Sequence, residues 1–396
     1  LTARERHSAL IEAMITDGTL TDAALIDAFR SVPRHAFIPE SGALTAQGAA
    51  LNATGNPERW LAAVYTDNAV ATRVEGPGSD RRPDAAAAPT PRQGMPAPRA
   101  PEHDPDAATS CSSAPTVLAR LLGLADLAPG QEVLEVGAGT GWNTALLAHL
   151  LGDDAVTSVE IDPRLAEAAR RALRNWRHTP AVHAADGYEG YAPRAPYDRI
   201  LSTCGVRRVP PAWLEQVRPN GLVVCPWGLL EGAGVLTRVE VPPNGTAVGR
   251  FHTGVGFVPL RVPGPPYPPV RDSGQQPDEY RLTQADPVAP LMSFPSAFAL
   301  SVMVGDWRVR RRWIGTGSGM WVCDHAGTSW VRVYPYGTSW MIEQGGPRSI
   351  WDEFEAALDE WSRLGEPEPT RFGLSVEPDG SHRVWLDEPG RRSWPV

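Results

Sequence analysis

The chain predicts an α/β fold, a doubly wound parallel sheet with a smaller α+β region behind it, and three observations carry that prediction. Residues 113–262 alternate strand-like and helix-like patterns, as a sheet with crossover helices requires. The stretch "VLEVGAGTGWN" (133–143) reads as a short apolar strand, a glycine-rich turn and the start of a helix. "VTSVEIDPRLAEAARRAL" repeats the plan: its apolar run ends at Glu160, and a helix follows with Asp162 as cap and Pro163 in the first position.

At 396 residues the chain exceeds what one ordinary core needs. Residues 1–72 carry two short helical patterns; in the second, Leu25, Ile26, Phe29 and Val32 share a face and Pro33 ends it. Residues 74–108 hold eight prolines and almost nothing apolar beyond alanine, the composition of a mobile insert. With that insert, 1–262 reads as one catalytic-type domain, and "PGPPYPPVRDSGQQP" opens a proline-rich linker over 263–289. Residues 290–396 read as a tryptophan-rich α+β domain for substrate recognition. They contain a helix from Ile350 to Leu364, between a Ser349 cap and Gly365, whose apolar stripe reads as core packing. They also contain a hairpin turning at Pro378-Asp379-Gly380, and Asn244-Gly245 reads as another hairpin turn. In "WRVRRRW" (307–313), strand alternation sets Arg308, Arg310 and Arg312 on one face, suited to an acidic peptide, though a solvated face has the same pattern.

The formal net charge of −9 argues against a nucleic-acid partner. All 37 basic residues are arginine, as expected from a GC-rich coding bias. The four cysteines and nine histidines lack metal-ligand or disulfide-framework spacing, so no metal is expected. Charges recurring from Arg4 to Arg34 leave no room for a signal-peptide core, and no apolar run reaches the ~20 residues of a membrane span. The expected class is a soluble, cytoplasmic, monomeric protein with no membrane partner.

The spacing at the turn is G-x-G-x-G through Gly137, Gly139 and Gly141, with Glu135 two residues ahead of it. Dinucleotide sites use G-x-G-x-x-G and favour bare amides for a pyrophosphate, so an acid beside the turn suits a ligand with a cationic amine, S-adenosylmethionine, better. Glu160 stands at the tip of the second strand, where a ribose diol is gripped in such sheets. Asp186 and Gly187 end the third, where an adenine amino group can be read. Each acid taken alone reads equally as a helix cap; together with the turn they indicate the cofactor.

The segments "SVPRHAFIP" (31–39), "YTD" (65–67), "SSAP" (112–115), "VLEVGAGTGWN", "SVEID", "ADGYEGYAPRAPYDRI" (185–200), "LEQVRPNGLVVCPWG" (214–228) and "GFVPL" (256–260) stand in the order found in protein L-isoaspartyl O-methyltransferases. Over about 1–262 the chain resembles that family. The resemblance implies a Rossmann-like sheet that binds S-adenosylmethionine and releases S-adenosyl-L-homocysteine. It adds Ile161 to the cofactor residues, assigns Tyr65 and Ser112 to the substrate, and places Ser113 beside the reacting methyl group. A rival reading makes Ser113 the cap of the helix that follows. The chain departs from the ordinary repair enzyme at Cys111-Ser112-Ser113, in the proline-rich insert and in the tryptophan-rich remainder. With those departures it is most similar to the aspartate methyltransferases associated with lanthipeptide and graspetide clusters. That implies methylation of an aspartate in an acidic precursor peptide, linear or cyclised, leading to aspartimide or isoaspartate. Two other readings stay open: a general isoaspartyl repair methyltransferase, and a non-catalytic scaffold with the same fold.

Overall fold

The computed structural model describes residues 1–74, 108–230, 233–261, 275–314 and 317–396. Most of the 74–108 insert and the start of the 263–289 linker lie outside the described residues. The chain divides into two compact units, Leu1–Thr203 and Cys204–Val396. The boundary expected near 262 is therefore displaced to 203.

Unit 1 opens with helices α1 (Ala3–Thr16) and α2 (Ala23–Ser31). Thr2 and Glu5 form a reciprocal capping box on α1, and Asp22 accepts from the Leu25 amide to start α2. Leu25, Ala28, Phe29 and Val32 are buried, close to the expected face, with Ala28 taking the place expected of Ile26. A small antiparallel sheet follows, made by β1 (Ser41–Thr45), β2 (Ala50–Asn52), β3 (Val70–Val74) and β4 (Ala108–Ser112), with α3 (Pro57–Val64) between β2 and β3. Its order is β2-β1-β3-β4. Helix α4 (Pro115–Leu124) leads into the main sheet: β5 (Val133–Val136), α5 (Trp142–Leu151), β6 (Val156–Glu160), α6 (Pro163–Asn175), β7 (Ala181–Ala184) and β8 (Tyr197–Ser202).

These four strands are parallel and ordered β8-β5-β6-β7. The chain runs outward from β5 through β6 to β7, then returns to β5's other side as β8. The crevice outside the carboxyl ends of β5 and β8 is thus the point where ligands bind in open α/β sheets. This is the Rossmann-like methyltransferase sheet expected from the sequence. Both β5 and β6 are buried along their whole length, which is why their sequences read as continuous runs and not as alternation.

Unit 2 holds α7 (Pro211–Gln216), β9 (Val217–Leu230), β10 (Ala233–Val241), β11 (Ala247–Gly256), β12 (Glu279–Thr283), α8 (Ala289–Met292), α9 (Phe294–Met303), β13 (Arg308–Ile314), β14 (Gly317–Cys323), β15 (Trp330–Tyr336), β16 (Ser339–Gly345), α10 (Ile350–Arg363), β17 (Phe372–Val376), β18 (His382–Leu386) and β19 (Ser393–Pro395). Its strands form two antiparallel groups. One has the order β9-β10-β11-β17-β18-β19, and the other is the sheet β12-β16-β15-β14-β13.

Two sequence expectations fail here. The last 107 residues are not a separate domain, because β17 pairs with β11 from Ala247↔Val376 to Arg250↔Gly373. The linker is not structureless to 289, because β12 pairs with β16 along five residues. Composition marks proline-rich stretches but carries no record of pairing between distant strands. The local expectations hold better. Helix α10 starts after Ser349 and buries Ile350, Trp351, Phe354 and Ala357 in a core with Trp307, Met320, Val331 and Ile342. Gly245 and Gly380 take positive φ at the two hairpin turns. No described helix is long and apolar enough to cross a membrane.

Candidate active site

Three parallel strands in register bring their carboxyl ends to one edge: Gly137 follows β5, Glu160 ends β6 and Asp186 lies just past β7. Gly137, Gly139 and Gly141 have φ of +91°, +53° and +92°, a conformation that excludes most side chains. A Cβ on Gly139 would lie 3.6 Å from Ser110 Oγ, so β4 passes over the turn. A Cβ on Gly141 would meet the Ala169 Cβ at 3.3 Å, so this glycine serves the packing of α6.

The turn's amides face inward. Gly137 and Ala138 donate to the Val159 carbonyl (2.9 and 3.1 Å), Gly141 to the Ala138 carbonyl (2.8 Å), and Gly139 to Glu160 Oε2 (2.9 Å). A pyrophosphate would find these donors taken and a carboxylate in its way. A nucleoside carrying a sulfonium and an ammonium meets no such repulsion, and on that ground the residues fit S-adenosylmethionine. Glu160 is largely buried, and its Oε1 also accepts from the Asp162 amide (3.1 Å), which fixes the carboxylate at the edge of the crevice. Next to it Ile161 is half-buried, and Asp162 caps α6 while pairing with Arg73 of β3 at 2.5 Å. Asp186 is half-buried and accepts from the Tyr188 amide (2.9 Å), with Gly187 buried beside it.

Glu135, the third acid expected at the cofactor, is engaged by side chains of its own fold. It is fully buried, and its oxygens accept from Asn143 Nδ2 (2.9 Å), Thr144 Oγ1 (2.5 Å) and Ser158 Oγ (2.6 Å). In the strand its side chain meets the first turn of α5 and Ser158 of β6. Burial raises its pKa above the ordinary carboxylate value, opposed by the three hydrogen bonds. It braces the helix that the turn enters. The Asn143 Oδ1 it leaves over is a buried acceptor without a hydrogen-bond partner.

On the acceptor side, Ser112 and Ser113 lie at the end of β4. Ser112 is buried and Ser113 half-buried. Ser113 does not cap α4: the N-cap is Ala114, with no side-chain cap bond. The cap comes instead from Asp67, whose Oδ1 accepts from the Thr116 amide (2.9 Å) and whose Oδ2 accepts from Thr116 Oγ1 (2.7 Å). The Ser113 hydroxyl is thereby left out of the helix start. Tyr65 is buried; its hydroxyl is hydrogen-bonded to His35 Nδ1 and its ring stacks on His7 at 5.4 Å between centroids. Burial pushes the Tyr65 phenol up to about 12. Its place is the packed wall behind the serines.

Arg34, from the quoted "SVPRHAFIP", organises that wall. Its Nε donates to Ser112 Oγ (3.2 Å), and Nη1 donates to the carbonyls of Val64 (2.9 Å) and Thr66 (3.3 Å). Its Nη2 donates to the carbonyls of Asn68, Ser112 and Ser113, each at 2.9 Å. The guanidinium also lies 5.4 Å from the centroid of Trp142, the residue after the last glycine of the turn. Sequence reasoning passed over Arg34 and Asp67 as functional residues, although both sit inside quoted motifs. An arginine set between Val32, Pro33 and Phe37 was the available signal.

The arginine row expected in unit 2 is not a uniform exposed face. Arg308 is buried, with Nη2 3.8 Å from Cys323 Sγ. The side chains of Arg310 and Arg312 lie outside the described residues.

Residues 104–262 match the family model described as Protein-L-isoaspartate(D-aspartate) O-methyltransferase. A protein-L-isoaspartate O-methyltransferase of Thermococcus onnurineus is 41% identical over 150 residues, which cover 37% of this chain and 68% of that protein. Its counterpart from Anaeromyxobacter dehalogenans is 43% identical over 150 residues, 37% of this chain and 71% of that one. A solved protein-L-isoaspartate O-methyltransferase structure superposes with a TM-score of 0.53 at 19% identity, covering 96% of this chain and 100% of that chain. At that identity the likeness is one of fold.

Proposed function

The chain belongs to the protein-L-isoaspartate(D-aspartate) O-methyltransferase family, and from that premise we propose that it methylates the free carboxylate of isoaspartyl residues in polypeptides. It is a carboxyl methyltransferase dependent on S-adenosylmethionine. The observation that supports the substrate reading is that β4, which ends at Ser112 next to Ser113, passes over the glycine turn at Ser110.

When bound, S-adenosylmethionine supplies a methyl group on a positively charged sulfur. Glu160 and Ile161 would hold its ribose, Asp186 and Gly187 its adenine, and the glycines leave room for its chain. The acceptor carboxylate is ionised at neutral pH, since its ordinary pKa is about 4, and needs no general base. What it needs is alignment in a site closed to water. The half-buried Ser113 hydroxyl would donate to an acceptor oxygen and so orient the carboxylate for transfer. Ester formation replaces a poor leaving group by methanol. The backbone nitrogen of the next residue then attacks the ester carbonyl, loses its proton and expels methanol, closing a five-membered succinimide. Water opens that ring to aspartate or isoaspartate.

The narrower reading, an aspartate in a ribosomally made precursor peptide, rests on three departures from the repair enzyme: Cys111-Ser112-Ser113, the proline-rich insert and the C-terminal region. The relatives at 41% and 43% identity are protein-L-isoaspartate O-methyltransferases, which supports the general reading. Incubation with S-adenosylmethionine and a synthetic isoaspartyl peptide tests it by mass spectrometry. The peptide is expected to gain one methyl group, pass through a succinimide one water lighter than it began as methanol leaves, and return to its starting mass on hydrolysis. Modification of ordinary aspartyl peptides alone would favour the precursor-peptide reading.

A further inference from the structure

The six acceptors around Arg34 are all neutral, five backbone carbonyls and one hydroxyl. The residue is 1% exposed, and no described carboxylate lies within ion-pair distance of it. A cation taken out of water without a counter-ion is costly. Burial pushes the guanidinium down to about 10, with attraction to Asp67 offsetting part of that. A structural clamp alone would not require this charge, since neutral donors can bridge carbonyls. The charge lies against Ser112 and Ser113, whose carbonyls Arg34 holds on both sides of the Ser112–Ser113 junction.

We propose that Arg34 is the positioning residue for the methyl acceptor: it fixes the Ser112–Ser113 backbone against residues 64–68 and sets a cation only partly offset by Asp67 behind Ser113, which draws an acceptor carboxylate to that hydroxyl. The assignment rests on the carboxylate acceptor of the proposed function. It separates two contributions, geometry from the six hydrogen bonds and attraction from the charge.

Two full-length variants divide them. Arg34→Lys keeps the charge and loses most of the grip; Arg34→Met loses both. With an isoaspartyl peptide, both variants are expected to lose about 100-fold in kcat, the cost of a misplaced reactant. The acceptor KM is expected to rise at least about tenfold further in the methionine variant than in the lysine variant, the scale of one charge-assisted contact. S-adenosylhomocysteine affinity by calorimetry is expected to stay within about threefold of the unmodified chain, because Arg34 touches none of the expected cofactor residues. A purely structural role would weaken that affinity and give both variants the same acceptor KM. Either result overturns the proposal, as does a folded lysine variant with normal kcat.

If neither variant folds, Ser112→Ala removes only the bond to Nε; a three- to tenfold loss in kcat is expected, roughly one hydrogen bond's worth, and an unchanged kcat overturns the proposal. Amide hydrogen exchange supplies a reading that does not depend on turnover. Residues 64–68 and 110–113 are expected to exchange faster in whichever variant folds, and unchanged exchange contradicts the clamp. An unmodified chain that methylates no acceptor would contradict the proposed function by itself, leaving the exchange comparison to decide the role of Arg34.

Discussion

Glu135 accepts from three side chains inside unit 1, whereas Glu160 accepts from the backbone of the glycine turn and of its own helix start. Substitution should therefore damage different properties. Glu135→Ala leaves three buried donors without an acceptor and is expected to cost about 3 kcal/mol or more of unfolding free energy, measured by denaturant titration. Glu160→Ala is expected to keep the fold and weaken S-adenosylhomocysteine about 10- to 100-fold by calorimetry, the worth of hydrogen bonds to a charged acceptor. An unchanged affinity would remove Glu160 from the cofactor site. The position of Glu160 was legible in the sequence, because an acid that ends an apolar run must emerge at the strand tip. The partners of Glu135 were not, because in a strand buried on both faces alternation does not say which neighbours a side chain meets. Arg34 was hidden for a related reason: its acceptors are backbone carbonyls, which have no residue signature.

At the scale of elements, the start of α4 is held from a distance. Asp67 supplies the cap that neither Ala114 nor Ser113 gives, so "YTD" and "SSAP", two motifs far apart in sequence, meet at one helix end. Asp67→Ala is expected to cost about 1 kcal/mol of stability, as lost caps do. It is also expected to lower methyl transfer, because Ser113 precedes the helix that has lost its anchor. Stability and transfer both unchanged would mean that the cap is dispensable. Local elements were read well: α10 between Ser349 and Gly365, and the hairpins at Gly245 and Gly380, follow from residues next to one another in the chain. The division of the chain was not. The β11–β17 pairing joins residues on either side of what composition marks as a linker, and β12 is a strand although it falls within that stretch.

Across the molecule, six of the eight described histidines are held below the ordinary imidazole pKa: His7, His35, His183, His252, His325 and His382, with burial the leading cause at each. Their rings bind protons less readily in the folded protein than in the unfolded chain. Their contribution to stability is complete above an unfolded pKa of about 6.5 and is lost as pH falls through the lower folded values. Denaturant midpoints taken at about pH 7.5, 6.5 and 5.5 are expected to drop in that order, and a rise on acidification would contradict the burial assigned to these rings. The central claim is that the rim formed by Ser112 and Ser113 receives an isoaspartyl carboxylate. The most direct measurement is the initial rate of methyl transfer from labelled S-adenosylmethionine to two peptides identical except that one carries isoaspartate and the other aspartate. The account requires transfer to the isoaspartyl peptide and little or none to its twin. Equal rates on the two, or transfer to the aspartyl peptide only, would contradict it.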